Sequence, residues 1–592
     1  MAIVNQSSAK NIQQARQPIL IAVNLTSKAP YCISFKRMPR FITLLATMVL
    51  TASWALTGCA ALPSDVQRPA STALKDNLDT RLGKAVAARA LAASTRNDSG
   101  FALVGSAELA FTSRMTLIKA AEKTLDLQSY AIHADDTTDR LFEALRQAAG
   151  RGVRVRILLD DFNTAGKNAQ VLQLAFEKNI EMRLFNPLPS NRSSAFWRII
   201  SSLSDAARLQ RRMHNKIFVA DNALSITGGR NLGDAYFGQS EGVNFVDIEV
   251  LGAGRIARDL SRSFDQYWNN PLAYPVESLM TQRDIQALKA KPAASAATWT
   301  ENPSPVAVST ATPKDANTPN KTTTTRVAVS PEGVTTTIAA LPDSANLDLL
   351  SWTWAASTML VDKPSKIAED ADATEEANDT VVDGLLSLMA RAKTDLLVVT
   401  PYFVPGPEMM RQFQAIRQRG VRVRVLTNSL ASNDAIAAHA GYARYREGLI
   451  AMGVEMYEMR AEQRGTLASF GSGSGSAGGS SGASRASLHA KAVVVDNRLL
   501  VVGSMNLDLR SKLQNSEVAI VIRNSKLSAE ARALIEPSLT SGAYRVELKD
   551  GRLIWRAPQG SGLQDTTSEP DASTGLKLLV RMIAPFAPDE ML

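Results

Sequence analysis

Cysteine is nearly absent from this sequence, since its 592 residues include only Cys32 and Cys59. A framework of disulfide bonds is therefore excluded, and the fold must be stabilised by an apolar core. Histidine is scarce too, with four residues in the whole chain. The composition is otherwise ordinary for a globular protein, with 45% hydrophobic and 21% charged residues, and the length predicts two or more domains.

Acidic residues are missing from the first 58 positions, which contain six basic residues. Six of the nine formal net positive charges therefore belong to this segment, and only three belong to the rest of the chain. So small a charge argues only weakly for a polyanionic partner, and we expect no nucleic acid among the partners.

The N-terminal segment has the order of an export signal. Lys36, Arg37 and Arg40 precede an uncharged apolar stretch that ends in Leu-Thr-Gly-Cys at Cys59. This ending resembles the lipobox of bacterial lipoproteins, which implies removal of residues 1–58 and acylation of Cys59. A plain transmembrane anchor is the alternative, because the uncharged stretch is just long enough to span a bilayer.

Both interpretations tether the body of the protein to a membrane outside the cytoplasm, so we expect an anchored protein that faces the periplasm. Ala60 follows the cysteine, and the lack of Asp there resembles lipoproteins sorted to the outer membrane, which favours that membrane over the inner one. The residues ahead of Lys36 are superfluous for a signal peptide, which makes Met38 a candidate start of translation.

The body of the sequence contains an internal repeat. The stretch RGVRVRILLDD (151–161) recurs as RGVRVRVLTNS (419–429), and each copy follows a helix-like segment and alternates basic with β-branched residues, as a strand does. An apolar strand precedes each helix, at 123–132 and at 393–404. This pattern predicts a duplicated α/β domain.

Two low-complexity stretches suggest where the domains end. The segment 281–344 is rich in Ala, Pro, Ser and Thr and predicts a disordered linker. The Gly/Ser loop 469–485 is interpreted either as a mobile lid over the site or as a tolerated surface insertion. The predicted order is a signal segment, a tether, a first domain, the linker, a second domain and a C-terminal extension: 1–58, 59–100, 101–280, 281–344, 345–545 and 546–592.

Two of the four histidines lie in the same local sequence pattern. RMHNKIFVAD contains His214 and Lys216, and SLHAKAVVVD contains His489 and Lys491. The apolar residues that follow predict a strand in each copy, and side chains two positions apart on a strand point to the same face. Each histidine is therefore expected to lie beside its lysine.

The residues after these pairs predict two β-hairpins. Asp221 and Asp496 begin turn-forming segments, each flanked by apolar runs. Folding the chain back at these turns brings Asn231 towards the first histidine, and Ser504 and Asn506 towards the second. Histidine, lysine and amide side chains are thus expected to gather at the open end of each hairpin.

This set of side chains suits a phosphate group. A lysine beside each histidine would repel a metal ion, and the usual acidic or cysteine ligands are not in frame, so we expect no metal and no cofactor. One histidine can attack phosphorus while the other protonates the departing oxygen, and lysine, asparagine and serine can bind phosphate oxygens. Finding Lys, Asp, Gly and Asn at four set positions after a histidine has a chance of roughly 10⁻⁵, so two copies argue against ordinary core packing.

The pattern His-x-Lys-x4-Asp-x6-Gly-x2-Asn, present twice in a duplicated α/β chain, resembles the phospholipase D superfamily. Four stretches, among them GGRNLGDAYFG and TNSLASNDAIAAHAGYARYR, are similar to bacterial cardiolipin synthases of the C type, and the likeness covers most of residues 101–554. The resemblance implies two phospholipase D-like domains, each a mixed β-sheet flanked by helices, related by a pseudo-twofold axis around one shared active site.

The resemblance also implies roles for individual residues. His214 would be the nucleophile and His489 the general acid, although the near symmetry of the halves leaves this order open. The first motif has Gly229 where the second has Ser504, which makes the two phosphate pockets unequal. The residues implied to bind or support the phosphate are Lys216, Lys491, Asn231, Asn506 and Ser504.

Five acidic residues belong to the same prediction. Asp221 and Asp496 match the last letter of the catalytic motif, but their place at the turns favours a structural role in which each bonds the turn backbone. A carboxylate is expected to orient each imidazole. The candidates are Asp247 and Glu517, at matching places on the strand that follows each hairpin, with Glu249 as the second choice to Asp247.

Five further features remain open. His439 on a helix-like stretch either lines the acceptor site or packs in the core, and His133 receives no role. Tyr130 and Tyr402 end equivalent strands and either border the site or pack. The segment Gly575–Phe586 has an apolar stripe that lies on a membrane surface or docks on the core.

The predicted function is transfer of a phosphatidyl group from a phospholipid donor to phosphatidylglycerol through a phosphohistidine, which makes cardiolipin. The expected partners are phosphatidylglycerol, phosphatidylethanolamine as a possible second lipid, and the membrane surface. One alternative is a hydrolase of the same superfamily, a phospholipase D or a nuclease, of which the small charge disfavours the nuclease. The other is a lipoprotein that binds phospholipid without turnover, for which two histidines would not be needed.

Overall fold

The computed structural model describes residues 62–164, 166–188, 206–290, 325–329, 335–339, 341, 345–347, 350, 352–367, 379–462 and 485–589. These residues belong to one compact unit, 61–592. The signal segment with Cys59 and residues 469–484 of the Gly/Ser loop lie outside the described residues. No helix within the described ranges is long and apolar enough to cross a membrane.

Helices alternate with strands along both halves of the chain, as the repeat predicted. Capping residues help to fix where helices begin: the side chain of Asp135 accepts a hydrogen bond from the backbone N–H of Thr138, and Thr380 does the same for Asp383. The α-helices are Arg81–Ala92, Ala107–Ala120, Asp136–Gly150, Ala206–Gln210, Arg255–Trp268, Gln282–Ala290, Val381–Met389, Gly406–Gln418, Ile436–Ala451, Leu509–Leu513, Ser525–Thr540 and Thr574–Ile583. The 3₁₀ helices are Gly166–Phe176, Asp234–Tyr236, Val276–Leu279, Pro364–Lys366 and Ala584–Phe586.

Two mixed sheets of nine strands each form the centre of the fold. In spatial order the first sheet contains Thr353–Trp354, Ser99–Val104, Glu249–Gly254, Leu224–Gly228, Ile217–Ala220, Thr124–Ser129, Arg154–Asp160, Ile180–Phe185 and Ala273–Pro275. The second sheet contains Ala356–Val361, Val518–Arg523, Leu499–Gly503, Ala492–Val495, Asp395–Val399, Arg422–Asn428, Glu455–Met459, Ala543–Lys549 and Arg552–Arg556. Three two-stranded sheets pair Thr325–Val329 with Thr335–Ala339, Phe403–Val404 with Leu507–Asp508, and Val243–Val246 with Arg485–Leu488.

The two large sheets share one topology, which confirms the predicted duplicated α/β fold. In each sheet three neighbouring strands run parallel, beginning with Thr124–Ser129 in the first half and Asp395–Val399 in the second. The helices Asp136–Gly150 and Gly406–Gln418 make the corresponding crossovers to the second parallel strand. Beside these strands each sheet carries the predicted hairpin, paired antiparallel.

Backbone hydrogen bonds and a common apolar core join the two halves. Strand Arg485–Leu488 of the second half pairs in parallel with Val243–Val246 of the first. The backbone N–H of His214 donates to the carbonyl of Ser516 at 2.9 Å. One core cluster contains buried side chains from both large sheets, among them Val219, Val250, Val494 and Ile520.

Four segments differ from the organisation expected from composition. Thr353–Trp354, assigned to the second domain, pairs with the first sheet, and the second sheet continues beyond residue 545 to Arg552–Arg556. Inside the predicted disordered linker, Gln282–Ala290 is a helix with Ile285 and Leu288 buried, and the strands Thr325–Val329 and Thr335–Ala339 pair antiparallel. The helix has enough apolar surface to pack on the first half, and the disorder predicted for the rest of the linker stays a prediction.

Both predicted turns are present, and they have the same conformation. Asp221 and Asn222 have φ of 50° and 51°, and Asp496 and Asn497 both have φ of 51°. Two successive residues with positive φ are what a type I′ hairpin turn requires, and Asp and Asn tolerate this region better than other non-glycine residues. The Asp-Asn pairs therefore set the register that brings each histidine to the open end of its hairpin.

The two turn aspartates bind backbone at the start of the neighbouring parallel strand, and not the turn backbone as expected. The carboxylate of Asp221 accepts hydrogen bonds of 2.8 to 2.9 Å from the backbone N–H groups of Glu122, Lys123 and Thr124. Asp496 accepts from the backbone N–H groups of Lys393, Thr394 and Asp395 at 2.8 to 3.1 Å. Each aspartate thus stabilises the packing of its hairpin against the adjacent strand. It lies about 20 Å of extended chain away from the histidine of its motif.

We predict that Asp221→Ala lowers the free energy of unfolding by roughly 1 to 3 kcal/mol, because it removes three charge-assisted hydrogen bonds and leaves the buried N–H of Thr124 without a partner. Urea unfolding monitored by circular dichroism measures this change. Turnover of a phosphodiester by the folded variant should stay within a few-fold of the wild-type rate. A variant of unchanged stability that has lost turnover would show instead that Asp221 acts in the chemistry.

Candidate functional site

Each catalytic-motif histidine faces a buried carboxylate from the other half of the chain. Nδ1 of His214 lies 2.9 Å from Oε2 and 3.0 Å from Oε1 of Glu517. Nδ1 of His489 lies 2.8 Å from Oδ2 of Asp247. The sequence analysis predicted both carboxylates as histidine partners, each for the histidine of its own half. In the structure each carboxylate instead contacts the histidine of the other half.

Glu249, the second choice for orienting an imidazole, has a different task. Its carboxylate accepts hydrogen bonds from Arg114 and from Nε of Arg230, and all three side chains are buried. The Arg114 and Arg230 guanidinium groups compensate its charge. The selection of Glu249 as a histidine partner is therefore wrong, because the side chain lies on the sheet face that holds these two arginines.

The surroundings of the two imidazoles favour their neutral form. Burial and then the positive charge of Lys216 hold the pKa of His214 well below its ordinary value, and burial and Lys491 do the same to the pKa of His489. Because a carboxylate accepts from the N–H at Nδ1, the neutral ring carries its lone pair on Nε2. This tautomer is the one in which Nε2 can act as a nucleophile or as a base.

The carboxylates share this buried environment. Burial raises the pKa of Glu517 to about 7, in opposition to the attraction of Lys216, and it raises the pKa of Asp247 to about 6. Both carboxylates are fully buried. The buried site therefore disfavours the charged form of each carboxylate relative to water.

Each motif lysine lies beside its histidine, as the strand periodicity predicted. Nζ of Lys216 donates to the backbone carbonyl of His214 at 2.8 Å, and Nζ of Lys491 donates to that of His489 at 2.7 Å. Burial lowers the pKa of Lys216 to about 7, and burial also lowers the pKa of Lys491. An anion between the two lysines would favour their charged ammonium form, so the pair forms a site suited to an anion.

The two motif asparagines are buried with unused hydrogen-bonding capacity. Nδ2 of Asn231 donates to the hydroxyl of Tyr236 at 2.8 Å, and within the described part of the chain the Oδ1 atoms of Asn231 and Asn506 have no hydrogen-bond partner. A rotation of the Asn231 amide by 180° would let Tyr236 donate to Oδ1 and would free Nδ2 for a ligand oxygen. The arrangement fits the expected phosphate contacts, which stay predictions.

Ser504 contacts a carboxylate, although the sequence assigned it to a phosphate. Its hydroxyl donates to Oε2 of Glu517 at 2.5 Å, and the hydroxyl of Ser511 donates to Oε1 at 3.0 Å. At the equivalent position in the first half, a side chain on Gly229 would place its Cβ 2.8 Å from both carboxylate oxygens of Asp247. The carboxylate of Asp247 therefore leaves room only for glycine at position 229, whereas Ser504 fits beside Glu517. This difference makes the two pockets unequal.

Aromatic rings contact the two imidazoles from the sides. The ring of Tyr130 meets His214 edge-on at 5.0 Å between centroids, and Tyr236 and Phe245 lie 5.3 and 5.1 Å from His489. Tyr402 instead donates its hydroxyl to Asp434 at 2.8 Å. The equivalence of Tyr130 and Tyr402 is thus not kept in their contacts.

Sequence reasoning missed Tyr236 and Ser511, although a signal for both was present. Each lies five residues after its motif asparagine, Asn231 or Asn506, and alignment of the two halves places them at one position. Both contact the machinery: Tyr236 touches His489, and Ser511 touches Glu517. A search of the repeat for polar residues beyond the motif would have found them.

The two remaining histidines lie outside the pair of imidazoles. His439 is fully buried, and its Nε2 lies 3.4 Å from Oε1 of Glu569 in the C-terminal extension. His133 stacks on Tyr236 at 6.1 Å and lies 3.3 Å from the amide of Asn168. Among the described residues no group of three His, Cys, Asp or Glu side chains could hold a metal ion.

A family model described as "Cardiolipin synthase, PLD-like domain" matches residues 115–268 and again residues 385–537, where PLD denotes phospholipase D. The chain belongs to this family. Each matched segment contains one histidine-lysine motif. Together the two segments include the four residues of the two imidazole-carboxylate pairs.

Individual relatives agree with this assignment. Cardiolipin synthase C of Escherichia coli K12 is 34% identical over 80% of this chain and 92% of its own length. Cardiolipin synthase A of Klebsiella pneumoniae is 22% identical over 74% of this chain and 68% of its own length. The crystal structure of a phosphatidylserine synthase from Haemophilus influenzae covers 85% of this chain and 99% of its own, with 12% identity and a TM-score of 0.50, and it supports the fold alone.

We predict that Glu517→Gln lowers kcat on a phosphodiester by about 100-fold or more, because the amide no longer stabilises a charged imidazole at His214. KM should change little. Ser511→Ala is the matched control, since it removes one hydrogen bond to the same carboxylate and should cost less than about tenfold. Steady-state kinetics compare the variants, and a Glu517→Gln protein with nearly full kcat would refute the role of the crossed pair.

The pKa of Lys216 predicts a pH dependence. As pH rises through about 7, the free protein loses the positive charge of Lys216, so kcat/KM for an anionic phosphodiester should fall on the alkaline side. Lys216→Arg keeps its charge and should move this alkaline fall to higher pH. A pH profile of kcat/KM whose alkaline side is the same in both proteins would exclude Lys216 as its origin.

Proposed function

We propose that the protein transfers a phosphatidyl group from a phospholipid donor to the hydroxyl of phosphatidylglycerol and so makes cardiolipin. The observation that carries the proposal is the pair of buried imidazoles, each held by a carboxylate across the two halves and each beside a lysine. The 34% identity to a cardiolipin synthase over most of both chains supports the lipid substrate.

In the first step, Nε2 of His214 attacks the phosphorus of the donor lipid. A P–N bond forms, the bond from phosphorus to the headgroup oxygen breaks, and the protonated Nε2 of His489 gives its proton to that oxygen. The ammonium groups of Lys216 and Lys491 compensate the charge that develops on the phosphate oxygens. The products of this step are the free headgroup alcohol and a phosphatidyl group on His214.

In the second step, a hydroxyl of phosphatidylglycerol attacks the phosphohistidine. Nε2 of His489, now unprotonated, takes the hydroxyl proton, the new P–O bond forms, and the P–N bond to His214 breaks. The same two residues thus return to their starting states. The donor is phosphatidylglycerol or phosphatidylethanolamine, and the leaving alcohol is correspondingly glycerol or ethanolamine.

The sequence of the N-terminal segment supports a location at a membrane. Acylation of Cys59 after removal of residues 1–58 would hold the enzyme on a bilayer that faces the periplasm, the outer membrane in preference to the inner one. A transferase with two lipid substrates gains from this tether, because both substrates diffuse in the plane of the same bilayer.

The test gives the purified full-length protein vesicles of phosphatidylglycerol, with and without phosphatidylethanolamine, and separates the lipids. Cardiolipin should form, and ethanolamine should be released if phosphatidylethanolamine is a donor. His214→Ala and His489→Ala should each lower the rate by about 10⁴-fold or more. Phosphatidic acid without cardiolipin would replace the proposal by a phospholipase D, and the absence of any lipid product would favour a binding protein.

The order of the two histidines is tested with the same variants and a donor lipid labelled in its phosphate. His489→Ala, given a donor with a good leaving group that needs no proton, should accumulate label on His214, detected by mass spectrometry as an acid-labile phosphohistidine. His214→Ala should accumulate none. Label found on His489 in the second variant would reverse the roles of the two residues.

A further inference from the structure

The helix Thr574–Ile583 and the 3₁₀ turn that follows it carry an exposed apolar stripe. Leu578, Met582 and Phe586 are 57%, 55% and 84% exposed, and they are spaced by four residues. Leu578 and Met582 lie one above the other on the α-helix, and Phe586 is exposed in the 3₁₀ turn that continues it. We refer to these three residues as the C-terminal stripe.

This stripe differs from the other exposed apolar residues of the described chain. Single exposed leucines are ordinary on a protein surface, whereas a contiguous apolar surface indicates a partner. The other large apolar side chains with high exposure are spread over several elements: Leu78, Leu91, Leu513, Leu548 and Leu563. A periodic cluster of three is therefore a feature of the C-terminal helix alone among the described elements.

The inner side of the helix is already attached to the body of the protein. Ile583 and Ala587 pack in a small apolar cluster with Val404. Arg444 donates to the backbone carbonyl of Ala584 at 2.9 Å and forms an ion pair with Asp589. These contacts fix the helix on the body of the protein. The stripe is therefore exposed although the helix itself is packed.

This attachment links the stripe to the site. Val404 pairs with Asp508, and its neighbour Phe403 pairs with Leu507, the residue directly after Asn506 of the second motif. The C-terminal helix therefore ends beside a short sheet whose other strand begins next to the phosphate-binding asparagine.

The charges beside the stripe select its partner. Lys577 and Arg581 lie on the same helix, each one residue before a residue of the stripe, and Arg581 is exposed. An apolar face flanked by basic side chains binds the interface of a bilayer that contains anionic phospholipid, where the basic groups meet the lipid phosphates.

We infer that the C-terminal stripe inserts into the interface of an anionic phospholipid bilayer and holds the site against the lipid headgroups. The inference deepens the proposed function, on which its purpose rests, because a lipid phosphate must reach two buried imidazoles from the plane of a membrane. The N-terminal anchor would only keep the protein near the bilayer, whereas the stripe orients it.

The test places an environment-sensitive fluorophore at single cysteines in the full chain, in a Cys32→Ser, Cys59→Ser background that keeps the apolar N-terminal stretch. Probes at Leu578→Cys, Met582→Cys and Phe586→Cys should shift to the blue with phosphatidylglycerol vesicles and should be quenched by acyl-chain nitroxides. Leu91→Cys, which lies on a different helix and is about as exposed as Phe586, is the matched control and should stay in water. Stripe probes that behave like the control on vesicle-bound protein would overturn the inference.

A kinetic arm separates this inference from the proposed function. The variant Leu578→Ser, Met582→Ser, Phe586→Ser should raise KM on vesicles about tenfold or more while kcat/KM on a monomeric short-chain lipid stays within twofold, and Leu91→Ser should change neither. Immersed probes without cardiolipin formation would refute the transferase and keep the stripe. Cardiolipin formation with all probes in water would refute the stripe and keep the transferase, and loss of a lipid-free dimer in the triple variant would assign the stripe to a second copy of the chain instead.

Discussion

The hydrogen bond from each imidazole to a carboxylate of the other half is the interaction on which the rest of the structure depends. His214 needs Glu517, and His489 needs Asp247, so neither half contains a complete pair. The two halves must then be held in register to within about 0.5 Å. The parallel pairing of Arg485–Leu488 with Val243–Val246 supplies that register directly beside His489.

The same requirement explains why the two halves have diverged at their centre. Asp247 and Glu517 differ by one methylene, yet their carboxyl groups lie at nearly the same distance from the imidazoles, 2.8 and 2.9 Å. The longer Glu517 leaves room for Ser504 and Ser511, whose hydroxyls hold it, whereas the shorter Asp247 occupies the space that a side chain at position 229 would need. A duplicated chain can thus keep its symmetry in the backbone and lose it in the site. In a close-packed site, a change in the volume of one side chain must be matched by a change in its neighbour.

How much was predictable from the sequence follows from the range of each interaction. The hairpins, their turns and the histidine-lysine pairs depend on residues less than about twenty positions apart, and the two large sheets repeat one pattern, so periodicity was sufficient for them. The two crossed pairs join residues that are 303 and 242 positions apart, and no local sequence pattern predicts such a contact. The helix Gln282–Ala290 was hidden for another reason: its two buried residues stand at the border of a segment whose average composition predicts disorder.

Burial of the two lysines beside the imidazoles disfavours their charged form as long as no anion is bound. Burial lowers the pKa of Lys216 to about 7, which means that the free site holds its positive charge only weakly at neutral pH. An anionic phosphate would change this balance, because a negative charge beside the lysines favours their ammonium form and opposes the effect of burial. The same charge would also favour the protonated form of the imidazoles. The electrostatics of the buried site therefore agree with the proposed preference for a phosphodiester over a neutral molecule of the same shape.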